Sequence, residues 1–242
     1  ALMEFAKIAA LRFQFAVRDN ESPILQGSLY QKARDSWREA YALKRTSPHA
    51  LLELANFEAQ RSAWSEISAV LVPEILETPE RAEIHQRLCD LLIRGGQAAR
   101  LVELYENELK SLPAHSPTGA WYAGYVRILA AEALRRKQDL EGANAKYDEA
   151  IKTLQMSYAK TPSFAANAKY YEAMAMAGQS RILLERRKTS DAAVKLTQAF
   201  TVSIDIVNKQ DGLAITPKVT SLEIGGELFR VGELKKGAEL FE

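Results

Sequence analysis

Apolar and small residues recur along the whole chain at the spacing of an α-helix. Ala33, Trp37 and Ala40, for example, lie four and three residues apart and therefore fall on one helical face. The alternation typical of a β-strand does not persist for more than four or five residues. Its best candidate, residues 200–207, continues a helical frame that begins at Ala192. The pattern therefore predicts an all-α protein.

Proline and glycine divide this helical pattern into segments. Pro48, Pro79, Pro113 and Pro162 each stand where a second helix should stop, because proline cannot continue a helix. Turn signals such as residues 95–96 separate the two helices of a pair. We therefore predict six antiparallel helix pairs. The first helices cover 2–19, 49–62, 80–94, 117–137, 163–187 and 217–231, and the second helices cover 28–45, 65–77, 97–111, 140–160, 190–209 and 234–242.

One position of each second helix sets a repeat period. The residues at this position are Ala33, Ile67, Leu101, Ala143, Ala192 and Ala238, with successive gaps of 34, 34, 42, 49 and 46 residues. A helix pair of this length cannot bury its apolar face alone and must stack on copies of itself. We expect Ala33, Ala143 and Ala192 to be buried where helices cross, and we expect the later, longer repeats to widen the inner face.

The sizes of the residues within a pair resemble those of the tetratricopeptide repeat (TPR) family. Leu222, Gly225 and Phe229 match the first helix of that repeat, and Ala143 and Tyr147 match the second. The resemblance covers nearly the whole chain and implies a right-handed α-solenoid of about six antiparallel helix pairs. It implies a single TPR-like domain over residues 1–242, which we interpret as an excised segment of a longer protein.

In the family, ligands lie along an inner groove lined by first helices. Transferring those inner positions gives a predicted partner-binding groove of mixed polarity: Asn56, Gln60, Asp90, Arg94, Tyr125, Glu132, Arg136 and Arg181, with Gln86 and Glu185 beside them. The carboxylate-clamp subset of the family grips a peptide C-terminus with a Lys/Asn/Lys/Arg array. Only Asn56 and Arg87 correspond to it here, while Leu52 and Tyr125 occupy lysine positions, so clamp recognition is not expected.

A group of aromatic residues begins the fourth and fifth first helices. Trp121, Tyr122 and Tyr125 belong to the fourth, and Tyr170 and Tyr171 to the fifth. Adjacent aromatics cannot all face one way on a helix, so some must reach the surface or a neighbouring pair. Two interpretations remain open: stacking between extended helices, and an aromatic binding pocket between the two pairs.

Charge and reactive residues exclude several classes of function. The 32 basic and 31 acidic side chains give a net charge of +1, without the clustered basic face that nucleic acid requires. No stretch approaches 18 apolar residues, so membrane insertion is not expected. His85 and Cys89 lie four residues apart, but Cys89 occupies a packing position, where it should be buried and inert. We predict no metal, no cofactor and no catalytic residue.

The sequence therefore favours a non-catalytic scaffold that binds a protein partner, as a peptide or helix, in a concave groove. The alternative is a helical superstructure or regulatory module of a larger enzyme or regulator whose active domain lies outside this chain. The last predicted helix presents an apolar edge (Leu234, Ala238, Leu240 and Phe241), so we expect fraying, a crystal contact or self-association at the C-terminal end.

Overall fold

The computed structural model describes residues 2–209 and 215–232. These residues form twelve α-helices, one 3-10 turn (Pro162–Phe164) and no β-strand, which confirms the all-α prediction. The helices are α1 (Leu2–Arg18), α2 (Pro23–Leu43), α3 (His49–Gln60), α4 (Trp64–Glu77), α5 (Ala82–Arg94), α6 (Ala98–Glu106), α7 (Leu112–His115), α8 (Pro117–Arg136), α9 (Leu140–Lys160), α10 (Ala165–Glu185), α11 (Thr189–Lys209) and α12 (Ile215–Arg230).

The chain divides into two compact units, unit 1 (1–101) and unit 2 (102–242). Within them, helices that follow each other through a short turn pack together, as α1 does on α2, α8 on α9 and α10 on α11. Ala33, Ala143 and Ala192 are fully buried as predicted, and the repeat positions Ile67 and Leu101 are fully buried as well. Ala238 and the predicted apolar C-terminal edge lie outside the described residues. The single repeat domain and the right-handed solenoid stay predictions.

Five helices end in the same kind of turn. The second residue after each of these helices adopts a left-handed backbone conformation, with φ between 52° and 71°. These residues are Asn20, Ser62, Gly96, Gln138 and Arg187. The following amide donates back across the last turn, as from Gln97 to the Leu92 carbonyl (2.7 Å) and from Lys188 to the Leu183 carbonyl (2.8 Å). This is the Schellman motif, which satisfies carbonyls at a helix end and reverses the chain.

Two helix boundaries differ by five residues from the sequence prediction. Helix α2 begins at Pro23 and not at 28, because Ser22 caps it by accepting from the Leu25 amide and proline is well suited to the first helical turn. The segment predicted as one helix over 97–111 ends at Glu106 and is followed by the short α7. The predicted helix over 234–242 lies outside the described residues.

The two units differ in what they bury. From α3 to α5, the core of unit 1 consists of large aliphatic side chains, each at most 1% exposed: Leu54, Ile67, Leu71, Ile75, Ile84, Leu88 and Leu92. From α8 to α10, unit 2 buries many small residues to the same extent: Ala120, Ala123, Ala131, Ala143, Ala150, Ala168, Ala173 and Ala175. Small residues let helix backbones approach closely, so the long helices of unit 2 fit each other over most of their length.

Candidate functional site

The five aromatic residues predicted from α8 and α10 form one cluster in unit 2. The Trp121 ring centroid lies 4.7 Å from that of Tyr122, 5.9 Å from that of Tyr125 and 5.2 Å from that of Tyr171. Tyr171 also contacts Tyr125 (5.3 Å) and Tyr170 (4.9 Å), mostly edge to face. These distances are those of favourable aromatic pairs. We call these five residues the aromatic cluster.

Only one ring of the aromatic cluster is buried. Tyr122 is 9% exposed, whereas Trp121, Tyr125, Tyr170 and Tyr171 are half-buried. Burial raises the pKa of Tyr171 to about 12, so its phenol resists ionisation even in alkaline solution. The structure thus joins α8 to α10 through aromatic packing, as the first interpretation requires. It leaves partly exposed rings at the surface, and the aromatic pocket stays a prediction.

The far ends of α8 and α10 carry charged side chains that pair with each other. Glu132 accepts hydrogen bonds from the Tyr147 hydroxyl and from Arg135 (3.2 Å). Arg135 also donates to Glu185 at 2.7 Å. Burial acts to raise the pKa of Glu132, but the hydrogen bonds from Tyr147 and Arg135 outweigh it and lower the pKa overall. Glu132 is therefore a fixed anion within an internal network.

Arg181 is held in a similar way. It donates to both carboxylate oxygens of Glu227 on α12, at 2.7 and 3.4 Å. The hydrogen bond with Glu227 raises the pKa of Arg181, and its side chain remains 41% exposed. Arg136 differs, since it is exposed and forms no ion pair within residues 2–209 and 215–232. Of the three charged groove candidates in unit 2, Arg136 is the most available to a partner.

In unit 1, two predicted groove residues bridge neighbouring first helices. The Asn56 amide oxygen on α3 accepts from Arg87 on α5 at 2.5 Å, and Gln60 on α3 accepts from Gln14 on α1 at 2.6 Å. Each therefore lies on a face that α3 shares with another first helix. On α5, Asp90 is half-buried and Arg94 exposed. Both stay predicted groove residues.

A groove that the sequence reasoning missed lies where α1, α2 and α3 meet. Its volume is about 750 Å³, and we call it the α1–α3 groove. Its lining residues are Phe13, Gln14, Val17, Arg18, Pro23, Gln26, Gly27, Tyr30, Phe57, Gln60 and Arg61. A smaller cavity of about 290 Å³ is also lined by Gln14 and Gln60, so their hydrogen bond lies between the two spaces. The volume of the α1–α3 groove is in the range of ligand-binding clefts.

Beside the α1–α3 groove, the carboxylate of Glu58 is completely buried. It accepts from the Tyr30 hydroxyl at 2.9 Å and pairs with Arg34 at 3.0 Å and Arg61 at 3.7 Å. Burial raises the pKa of Glu58, and the hydrogen bond from Tyr30 and the two arginines only partly oppose this. The network holds Tyr30 and Arg61 in position, so these two lining residues of the groove are preorganised.

His85 and Cys89 are both buried on α5, with 0% and 3% exposure. The Nε2 atom of His85 lies 3.0 Å from the Pro79 carbonyl oxygen, so this nitrogen carries the hydrogen and donates. Burial lowers the pKa of His85 to about 4, which keeps the ring neutral. No cluster of three or more His, Cys, Asp or Glu side chains that could hold a metal occurs among the described residues. In the same residues, no helix is long and apolar enough to cross a bilayer.

Comparison with known proteins leaves the family open. No family model and no curated protein matches the sequence. Among solved structures, one match is the crystal structure of a tetratricopeptide repeat protein from Parabacteroides merdae, which is 12% identical, with 98% of each chain covered and a TM-score of 0.27. A TM-score this low does not establish a common fold, so the TPR resemblance rests on the sequence pattern.

Proposed function

We propose that this chain is a non-catalytic scaffold that binds a protein partner, as a peptide or a helix, on the inner face of a right-handed solenoid of six antiparallel helix pairs. The observation that carries the proposal is the aromatic cluster. It places four half-buried rings on two neighbouring first helices of unit 2. Aromatic and arginine side chains dominate interface energetics when a partner removes them from water.

Rigidity supports this role. The rings of the aromatic cluster contact each other at 4.7–5.9 Å, and Tyr170 accepts from Thr220 of α12 at 3.2 Å. A surface fixed in this way loses little conformational entropy on binding, so the partner carries most of the ordering cost. The arginine that is free on α8, Arg136, supplies a charged contact at the other end of the same helix.

The partner segment is proposed to contact Tyr125, Arg136 and Arg181 in unit 2. In unit 1, the corresponding inner positions are Asn56 and Gln60, with Asp90 and Arg94 on α5. The amides in this set suit a peptide backbone, and the charges of both signs suit a mixed-charge partner. The balance of 32 basic and 31 acidic residues does not favour nucleic acid as the ligand.

The test is site-specific photo-crosslinking in cells that produce the full-length protein. A photoreactive amino acid at position 125 should capture one defined protein, identified by mass spectrometry, whereas the same group at Glu103, an exposed residue of α6, should not. The double change Tyr125→Ala with Arg136→Ala should then weaken binding of that purified protein by about 2 kcal/mol or more.

The control is the pair Glu103→Ala and Glu108→Ala, since both side chains are exposed. These changes should leave binding unaltered. Normal binding by the Tyr125/Arg136 variant, together with loss of binding in the control, would exclude the first-helix face. Thermal melts of both variants separate loss of binding from loss of folding.

A further inference from the structure

The α1–α3 groove of unit 1 has an aromatic floor. The ring centroids of Phe13, Tyr30 and Phe57 lie 5.6–5.8 Å apart, so each ring contacts the other two. Phe13 and Phe57 are 7% and 4% exposed, and they present what remains of their surface to the groove. An apolar floor of this kind takes up a large apolar or aromatic side chain.

The rim of the groove is made of hydrogen-bond donors. Arg18 and Arg61 are the only charged residues that line it, and the others with polar side chains are three glutamines and Tyr30. The Arg61 guanidinium lies 3.7 Å from the Tyr30 ring centroid and its side chain is 36% exposed. Its position over the ring leaves N–H groups at the edge of the guanidinium plane, where a carboxylate would meet them.

The carboxylates that accompany these arginines do not line the groove. Asp19 pairs with Arg18 at 2.7 Å on the exposed surface, and Glu58 is fully buried beside Arg61 and Arg34. The lining of the groove therefore carries two cationic side chains and no carboxylate. The charge complementarity favours an acidic occupant over a basic one.

The space for such an occupant is open. Gly27 lies within helix α2, and a Cβ added there would meet no atom within 4 Å. Pro23, Gly27 and Arg18 are exposed along one side, so a chain can lie across the groove and continue beyond it. An open groove of about 750 Å³ suits a short peptide segment, whereas a small molecule is usually bound in a more enclosed cavity.

We infer that the α1–α3 groove binds an acidic peptide segment that carries one large apolar or aromatic side chain. That side chain lies on the floor of Phe13, Tyr30 and Phe57, and the acidic side chains of the segment pair with Arg18 and Arg61. The amides of Gln14 and Gln60 meet the peptide backbone, together with the amide oxygen of Gln26, whose nitrogen donates to the Ala16 and Glu21 carbonyls. The site is separate from the aromatic cluster of unit 2 and does not depend on it.

Selection from a phage-displayed library of random 12-residue peptides on the immobilised full chain tests this inference. Selected sequences should be enriched in Asp and Glu next to a Phe, Trp or Leu. In the Gly27→Leu variant, the new side chain projects into the groove and should weaken the selected peptides about tenfold or more, measured by titration calorimetry with synthetic peptides. Gly226→Leu is the matched control, because Gly226 of α12 also has no atom within 4 Å of an added Cβ.

Both leucine variants should fold, since replacing a glycine within a helix where space is free raises stability. A second variant, Arg18→Glu, should weaken the acidic peptides about threefold or more and should restore binding of peptides whose acids are replaced by lysine. Failure to enrich any peptide, enrichment of basic peptides, or equal affinity for wild type and Gly27→Leu would each overturn the inference. The aromatic-cluster variant Tyr125→Ala should leave these peptides unaffected.

Discussion

The α3–α5 part of unit 1 and the α8–α11 part of unit 2 bury their helices by different means. The former has helices of 12–14 residues packed through leucine and isoleucine, and the latter has helices of 20–21 residues packed largely through alanine and glycine. Gly178 illustrates the second mode, because a Cβ there would lie 2.2 Å from the Tyr147 ring. At such a position, added volume forces the packed ring or the backbone to shift, so packing through small residues depends on a close match of shape.

The difference extends to what each unit can accommodate. Unit 1 encloses an ionisable imidazole at His85 and a carboxylate at Glu58, both completely buried, and it contains the α1–α3 groove. In unit 2, Tyr147 of α9 donates to the Glu132 carboxylate of α8, and buried serine hydroxyls donate to carbonyls of their own helix, as Ser157 does to Leu154 and Ser180 to Ala177. Unit 1 should therefore respond more to pH and unit 2 more to added volume.

The largest expected effect is acid destabilisation of unit 1 through His85. Its pKa is about 4 in the folded chain and 6.5 in the unfolded chain, so the unfolded state binds more protons between these values. Stability from this residue is present above pH 6.5 and is lost as the pH falls towards 4, by about 3 kcal/mol in total. Urea unfolding at a series of pH values measures it.

The control for this prediction is His85→Gln, which keeps a donor for the Pro79 carbonyl but does not titrate. The buried Glu58 contributes with the opposite sign, because burial raises its pKa. The relevant quantity is therefore the difference in pH slope between wild type and variant. Parallel slopes would show that His85 is solvated in the folded chain. Hydrogen exchange should locate the early loss of protection in Ala82–Arg94.

The next effect tests the close packing of unit 2. Gly178→Ala places a methyl group against Tyr147, whose ring is fully buried and held by its hydrogen bond to Glu132. We expect a loss of about 2 kcal/mol even though alanine is the better helix former. The same change at Gly27 of unit 1 should raise stability by about 0.5–1 kcal/mol, since nothing lies near the new atom. Equal changes in the free energy of unfolding at the two glycines would show that the units do not differ in how closely they are packed.

The smallest effect concerns the turns. In unit 2, the left-handed positions after α8 and α10 are occupied by Gln138 and Arg187, and Gly232 occupies the one after α12. Unit 1 has residues suited to this conformation, Asn20 and Gly96, at two of its three turns. Gln138→Gly should relieve backbone strain and raise the free energy of unfolding by about 1 kcal/mol. Gly96→Ala should lower it by a similar amount. A stability of Gln138→Gly at or below that of wild type would mean that its side chain contributes more than its backbone costs.

The helices and most turns could be predicted because they depend on local residues. Gly95-Gly96 and Gln138-Asp139 lie at observed turns, and Ala143 and Ala192 are buried as the repeat frame requires. The start of α2 was predicted wrongly because Pro23 and Gly27 both read as helix breakers. Proline after a capping serine starts a helix, and a glycine on an exposed face only weakens one.

The candidate sites were predictable to different degrees. The aromatic cluster could be anticipated because three of its residues fall within five positions of α8. The α1–α3 groove could not, because Phe13, Tyr30 and Phe57 lie on three helices and each reads as an ordinary core position in its own segment. Nothing local to these residues indicates that their rings meet. The residue pattern alone does not predict contacts between segments that are distant in the sequence.

The three tryptophans make the two units optically distinct. Trp121 stacks among tyrosines in unit 2, so its transitions couple with theirs and should give a strong near-ultraviolet circular dichroism signal. Trp37 is 3% exposed in unit 1, and Trp64 lies against Gly95 in the same unit. Trp37 should therefore dominate the blue-shifted part of the fluorescence emission. The chain thus carries its own spectroscopic labels, and the melting of each unit can be followed without any added dye.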